Sequence, residues 1–105
     1  MSVPAAFAGG CACGAVRYEC SAAPTTMVNC HCRDCQKAGG SGYSPTVVVS
    51  KGALRLMSGE PKYHSVTVES GYLARRAFCP ECGTPLYAST SSRPNLLGNQ
   101  SWYAR

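Results

Sequence analysis

Three cysteines stand within six residues in the stretch Asn29-Cys30-His31-Cys32-Arg33-Asp34-Cys35-Gln36-Lys37. Thiols that close can share one metal ion, and zinc takes four ligands in a tetrahedron at about 2.3 Å per Zn–S bond. Three cysteines leave one corner for something else: Cys20, His64, a water or a substrate. In an extended segment residues i and i+2 share a face, so Cys30 and Cys32 can reach one ion while His31 points away from it. Three thiolates overcompensate the zinc charge, which makes the ion a weak activator of water and argues against hydrolysis. The chemistry it suits is capture of an incoming thiol as thiolate, whose pKa of about 8.5 falls on a metal, beside an electrophile. Cys30, Cys32 and Cys35 are therefore the candidate catalytic centre. Arg33, Gln36 and Lys37 on the adjoining turn are candidates for binding the carboxylates of a small thiol, and Ser41, Tyr43 and Ser44 for lining its pocket. A site closed by Cys20, or an unmetallated redox cluster, is the alternative.

Two further pairs, Cys11-Ala12-Cys13 and Cys79-Pro80-Glu81-Cys82, come from opposite ends of the chain. Together they supply the four thiolates of a closed structural zinc site, whose expected role is to clamp the two ends of a sheet together. Apparent binding energies at such sites, about 10–16 kcal/mol in zinc peptides, match the whole stability of a small domain.

A clamp is useful here. A chain of 105 residues is one domain and buries only about 60–70% of its unfolded surface. Eight cysteines raise the question of disulfides, but the C-x-C and C-x-x-C spacings hold adjacent corners of a metal tetrahedron and seldom pair internally. The start, Met1 to Gly10, has neither a basic segment nor an apolar run of secretory length, so a reducing, cytoplasmic setting is expected. No stretch is apolar enough to span a membrane. The formal charge is +5 with neutral thiols. Four thiolates on one zinc carry −2 and three carry −1, which brings the loaded chain to about +2. Apart from the pair Arg75-Arg76 the basic residues are scattered, and all of them read as solvated surface, so no nucleic-acid partner is expected.

The elements needed to carry these clusters are strands. Ala15–Cys20 alternates, with Val16, Tyr18 and Cys20 on one face, which makes Cys20 a core residue in the simplest reading. Thr25–Asn29 leads a strand into the central cluster, Cys32–Ala38 permits a helical turn, and Gly39-Gly40-Ser41-Gly42 ends it. Tyr43–Val49 reads as a buried strand, Lys51-Gly52-Ala53 as a turn and Leu54–Met57 as a short strand. Lys62–Glu69 and Tyr72–Phe78 form a hairpin that delivers Cys79, and Gly83 suits a metal knuckle that needs positive φ. Pro85–Ala88 starts another strand, and Ser89–Asn95 reads as loop. The expected class is all-β, mainly antiparallel, with at most one or two helical turns.

Three motifs carry a resemblance: Gly10-Cys11-Ala12-Cys13-Gly14-Ala15-Val16-Arg17-Tyr18, the central stretch with Gly40-Ser41, and Phe78-Cys79-Pro80-Glu81-Cys82-Gly83-Thr84-Pro85-Leu86. In this order they resemble the glutathione-dependent formaldehyde-activating enzyme family, which includes centromere protein V. The resemblance implies a β-tent fold, one structural zinc on the outer pairs and a second zinc on the central three cysteines. It also implies addition of glutathione to formaldehyde, giving S-hydroxymethylglutathione, a carbon–sulfur lyase activity in the reverse sense. Relatives continue past Leu97 through further strands. The short tail here is expected to leave a sheet edge open, covered by Trp102 and Tyr103 or by a second copy of the chain in a homodimer. The competing function is a non-catalytic binding module in which both zincs are structural.

Overall fold

The computed structural model describes residues 7–99. In chain order its elements are β1 (Phe7–Gly10), β2 (Arg17–Cys20), β3 (Thr26–Cys30), α1 (Arg33–Gly39), β4 (Ser44–Ser50), a 3-10 turn (Lys51–Ala53), β5 (Leu54–Ser58), β6 (Lys62–Thr67), β7 (Leu73–Phe78), β8 (Pro85–Thr90) and β9 (Arg93–Asn99). They form a three-stranded sheet in the order β1-β2-β5 and a six-stranded sheet in the order β3-β4-β9-β8-β7-β6, antiparallel throughout. The all-β expectation holds.

Alternation explains how the sheets meet. Tyr18 and Cys20 of β2 are buried while Glu19 between them is exposed. On the larger sheet Val47 and Val49 of β4, Tyr87 of β8, and Leu97 and Asn99 of β9 are buried. The apolar ones among them join Val16, Tyr18, Cys20 and Leu86 in one core between the two sheets. Each such side chain contributes about 1.5–3 kcal/mol of burial. A polar contact crosses this core, the Tyr18 hydroxyl donating to Asn99 Oδ1 at 3.0 Å.

The opposite face of the larger sheet positions the site. In an antiparallel ladder directly paired residues share a face. The pairings Val48↔Gly98, Gly98↔Ala88, Ala88↔Arg76 and Arg76↔His64 therefore lay one row of side chains across five strands, away from the core. Helix α1 and the β6–β7 turn stand over this face, joined where Asp34 Oδ2 accepts the Glu69 N–H at 3.2 Å.

Two expectations need correction. Ser89–Asn95 is not loop: β8 runs to Thr90, and β9 begins at Arg93 after the turn at Ser91 and Ser92. Pro94 is tolerated because β4 pairs with β9 only from Leu96 to Asn99, beyond the position of the missing donor. β9 is consequently interior to its sheet, and among the described residues the edges are β3 and β6 in one sheet and β1 and β5 in the other. Trp102 and Tyr103 lie outside the described residues. Among the described residues no helix is long and apolar enough to cross a membrane.

Candidate metal centres and the adjoining cavities

The outer cysteines come together at two turns of the same construction. After β1, the Cys11 N–H donates to Val16 O at 3.1 Å and Gly14 N–H to Cys11 O at 3.3 Å. After β7, Cys79 N–H donates to Thr84 O at 3.0 Å and Gly83 N–H to Cys79 O at 2.9 Å. Gly83 takes φ 78°, as its place behind Cys82 predicted. The sulfurs of Cys11, Cys13, Cys79 and Cys82 all lie within 4.8 Å of one another. Cys11 and Cys13 are 3.5 Å apart and Cys13 and Cys79 3.7 Å. Tetrahedral zinc at about 2.3 Å per bond needs sulfurs about 3.8 Å apart, so the donor set fits a zinc ion. The N–H groups of Val16 and Glu81 donate to Cys11 Sγ at 3.3 Å and to Cys79 Sγ at 3.4 Å, the kind of support a thiolate ligand needs.

Because one cysteine pair follows β1 and the other follows β7, this cluster ties the small sheet to the large one. The expected clamp across the ends of a single sheet is thus a clamp between two sheets. Thr84 adds a further tie, since its hydroxyl accepts the Ala12 N–H at 3.1 Å and lies 3.0 Å from Cys82 Sγ.

Four thiols packed this closely cannot ionise alike. The Thr84 hydroxyl, helped by backbone N–H groups, pulls Cys82 down to about 5. At Cys13 the Ala15 N–H favours the thiolate, but the crowding thiols, Cys11 foremost, outweigh it and push the group up to about 12.

The central cluster is built by a strand running into a helix. Cys30 ends β3, and Cys32 is the N-cap of α1, its sulfur accepting the Cys35 N–H at 3.4 Å. One helical turn then returns Cys35 to the same side. Cys30 Sγ and Cys32 Sγ are 3.4 Å apart, and all three sulfurs lie within 4.8 Å of one another. Among the described residues no fourth His, Cys, Asp or Glu joins them. His31 stacks on Tyr43 with ring centroids 5.2 Å apart, away from the cluster as expected. Cys20 is buried in the core, where desolvation raises its pKa, and is not a ligand here. Burial and the neighbouring thiols push Cys35 up to about 12, while the Cys35 N–H first and the other thiols next lower Cys32. None of the eight cysteines is bridged.

Cys30, Cys32 and Cys35 open into a cavity of about 630 Å³ on the outer face of the large sheet. Its floor includes Val48, Ala88 and Gly98, and its charged groups are Asp34, Glu69, Arg76 and Arg93. A smaller cavity of about 460 Å³ lies at the C-terminal end of α1, against β6, β7 and β8, and Arg76 lines both.

The other expected binding residues divide between the turn after α1, the exposed face of α1 and the smaller cavity. Gln36 Nε2 donates to His31 O and to Gly42 O, both at 3.1 Å, and so holds the turn after α1. Ser41 Oγ donates to Tyr43 O. Arg33 and Lys37 are exposed on α1 and line neither cavity, whereas Ser41, Tyr43 and Ser44 line the smaller one. His64 also lines the smaller cavity rather than the thiol cluster. Arg76, expected to be solvated surface, is half-buried between the cavities, while Arg75 stacks on the Tyr63 ring at 4.0 Å. The alternation of β7 held that signal, since it puts Arg76 on the face of Ala74 and Arg75 on the other.

A crystal structure of a Rhodobacter sphaeroides protein shares this fold, with a TM-score of 0.71, 22% sequence identity, and coverage of 90% of this chain and 84% of that one. Residues 6–100 match the family model described as glutathione-dependent formaldehyde-activating enzyme, and the chain belongs to that family.

Proposed function

We propose that this chain joins and cleaves the bond between the sulfur of a small peptide thiol of the glutathione type and the carbon of formaldehyde. It would act as a carbon–sulfur lyase of the S-(hydroxymethyl)glutathione synthase type, with zinc at both cysteine clusters. The observation that carries the reading is the three-thiol cluster with no fourth protein donor among the described residues, opening into a cavity of about 630 Å³. A cavity of that size is in the range that encloses a small ligand.

Cys30, Cys32 and Cys35 would hold the zinc, and the chemistry it would supply when bound is a lowered pKa for an incoming thiol. The chain's own residues orient the thiol. Arg93 suits a carboxylate, and Asp34 and Glu69 suit an ammonium group, a mixture that matches a peptide thiol carrying both charges. The apolar floor of Val48, Ala88 and Gly98 lowers the local dielectric and strengthens those charge contacts. In the forward direction the thiol proton leaves to solvent, a sulfur lone pair forms the S–C bond, and the carbonyl π pair moves to oxygen, which takes up a proton. Nothing is oxidised or reduced. Unbridged cysteines throughout the chain support a reducing compartment such as the cytoplasm.

The test is the rate at which free formaldehyde disappears with glutathione and zinc-loaded protein. It is expected to exceed the spontaneous rate in proportion to protein concentration. A protein with both clusters loaded that leaves the spontaneous rate unchanged would refute the proposal.

A further inference from the structure

The smaller cavity is out of proportion to formaldehyde. A molecule of two heavy atoms needs about the 30 Å³ of a liquid water, whereas this cavity measures about 460 Å³. Its wall is aromatic and apolar in large part, with Tyr43, Phe78, Pro85 and Tyr87 among the lining residues. Its charge has one sign: Arg76 is the fixed charge, and the lining contains no Asp or Glu. His64 faces the same space and is the register partner of Arg76 across the β6–β7 ladder. Among the described residues the Arg76 guanidinium has neither the aromatic partner that holds Arg75 nor a carboxylate in hydrogen-bond range. Its position is what decides the ligand, because it also lines the cavity that holds Cys30, Cys32 and Cys35.

We infer that the smaller cavity seats the carbonyl partner of the reaction and selects a 2-oxo acid. The carboxylate binds Arg76, with His64 beside it, and the substituent fills the aromatic pocket. A carbonyl one bond from a carboxylate held at the boundary of the two cavities faces the thiol side, whereas a carbonyl at the far end of the ligand would point away from it. The addition is the one already described, with the 2-oxo carbon accepting the sulfur, its oxygen taking the proton, and no change of oxidation state. This inference rests on the proposed lyase function and widens its carbonyl substrate beyond formaldehyde.

The experiment has a binding arm and a kinetic arm, both on the zinc-loaded chain. Mandelate, a non-reactive 2-hydroxy analogue with an aromatic substituent, is titrated by NMR. Saturable binding is expected, weakened about tenfold by His64→Glu, which sets a carboxylate beside Arg76 on an exposed edge-strand position. No binding, or equal binding by H64E, overturns the inference whatever the protein does with formaldehyde. In the kinetic arm glyoxylate, the simplest aldehyde of the class, is compared with formaldehyde in the presence of glutathione, and about tenfold higher kcat/KM is expected. Acceleration with formaldehyde and none with glyoxylate overturns the inference and leaves the lyase reading standing. Acceleration with neither, even where mandelate binds, overturns the lyase reading and the catalytic role of this cavity with it.

Discussion

The hydroxyl of Thr84 lies 3.0 Å from the sulfur of Cys82 while accepting the Ala12 N–H from the opposite turn, so one small side chain serves both halves of the outer cluster. Thr84→Val keeps the shape and removes both contacts. It is expected to cost about 1 kcal/mol of stability and at least about tenfold in zinc affinity, the scale on which groups supporting metal ligands act. Competition with a chromophoric chelator measures the affinity, and an unchanged value would remove Thr84 from this role.

The outer cluster joins two sheets that otherwise share mainly an apolar core. Cys79→Ser, or exhaustive chelation, is therefore expected to remove most of the folding stability, since zinc binding of about 10–16 kcal/mol is comparable to the whole stability of a small domain. Circular dichroism melts with and without chelator check this. A Tm that does not move would show that the core holds the sheets together without a metal.

The central cluster differs because it sits outside the core, with Cys32 exposed and Cys30 and Cys35 half-buried. Cys30→Ala is expected to leave the fold within about 1.5 kcal/mol of the parent, to cut bound zinc from two equivalents to one, and to abolish the acceleration of thiol addition over the spontaneous rate. Metal analysis, thermal melts and kinetics on one preparation separate these outcomes. A variant that unfolds would make the central site structural.

Tyr87 supplies a pH dependence of known sign. Burial raises its pKa well above the usual phenol value, with the Tyr63 hydroxyl at 2.7 Å adding to the effect. The folded state thus prefers the neutral phenol. Its contribution to stability is complete below the ordinary value of about 10 and is lost as the pH rises towards the folded value. Urea unfolding at pH 8 and at pH 11 is expected to show a loss of stability that is smaller in Tyr87→Phe. An equal loss in both proteins would mean that the phenol ionises without opening the core.

Much of this protein was written locally. Cysteine spacing marked the two outer pairs and the central trio, because thiols two or three residues apart on one turn converge without distant contact, whereas the outer pairs meet only because the two sheets bring Cys13 and Cys79 together. Alternation in Ala15–Cys20 likewise fixed which side chains turn inward, and the core holds Tyr18 and Cys20 accordingly. Tertiary structure decided what depends on distant pairing. β9 has no clear alternation and carries Pro94, yet it is a strand because β4 and β8 flank it from more than 40 residues and from two residues away. The same pairing carries Arg93 into the thiol cavity, and the β6–β7 register turns Arg76 into both cavities beside His64. Gln36 and Ser41, close to the cysteines in sequence, are spent on backbone carbonyls of their own turn. Thiols close in sequence are gathered by local geometry, whereas the walls of a cavity are set by which strands become neighbours, and only the folded sheet fixes that.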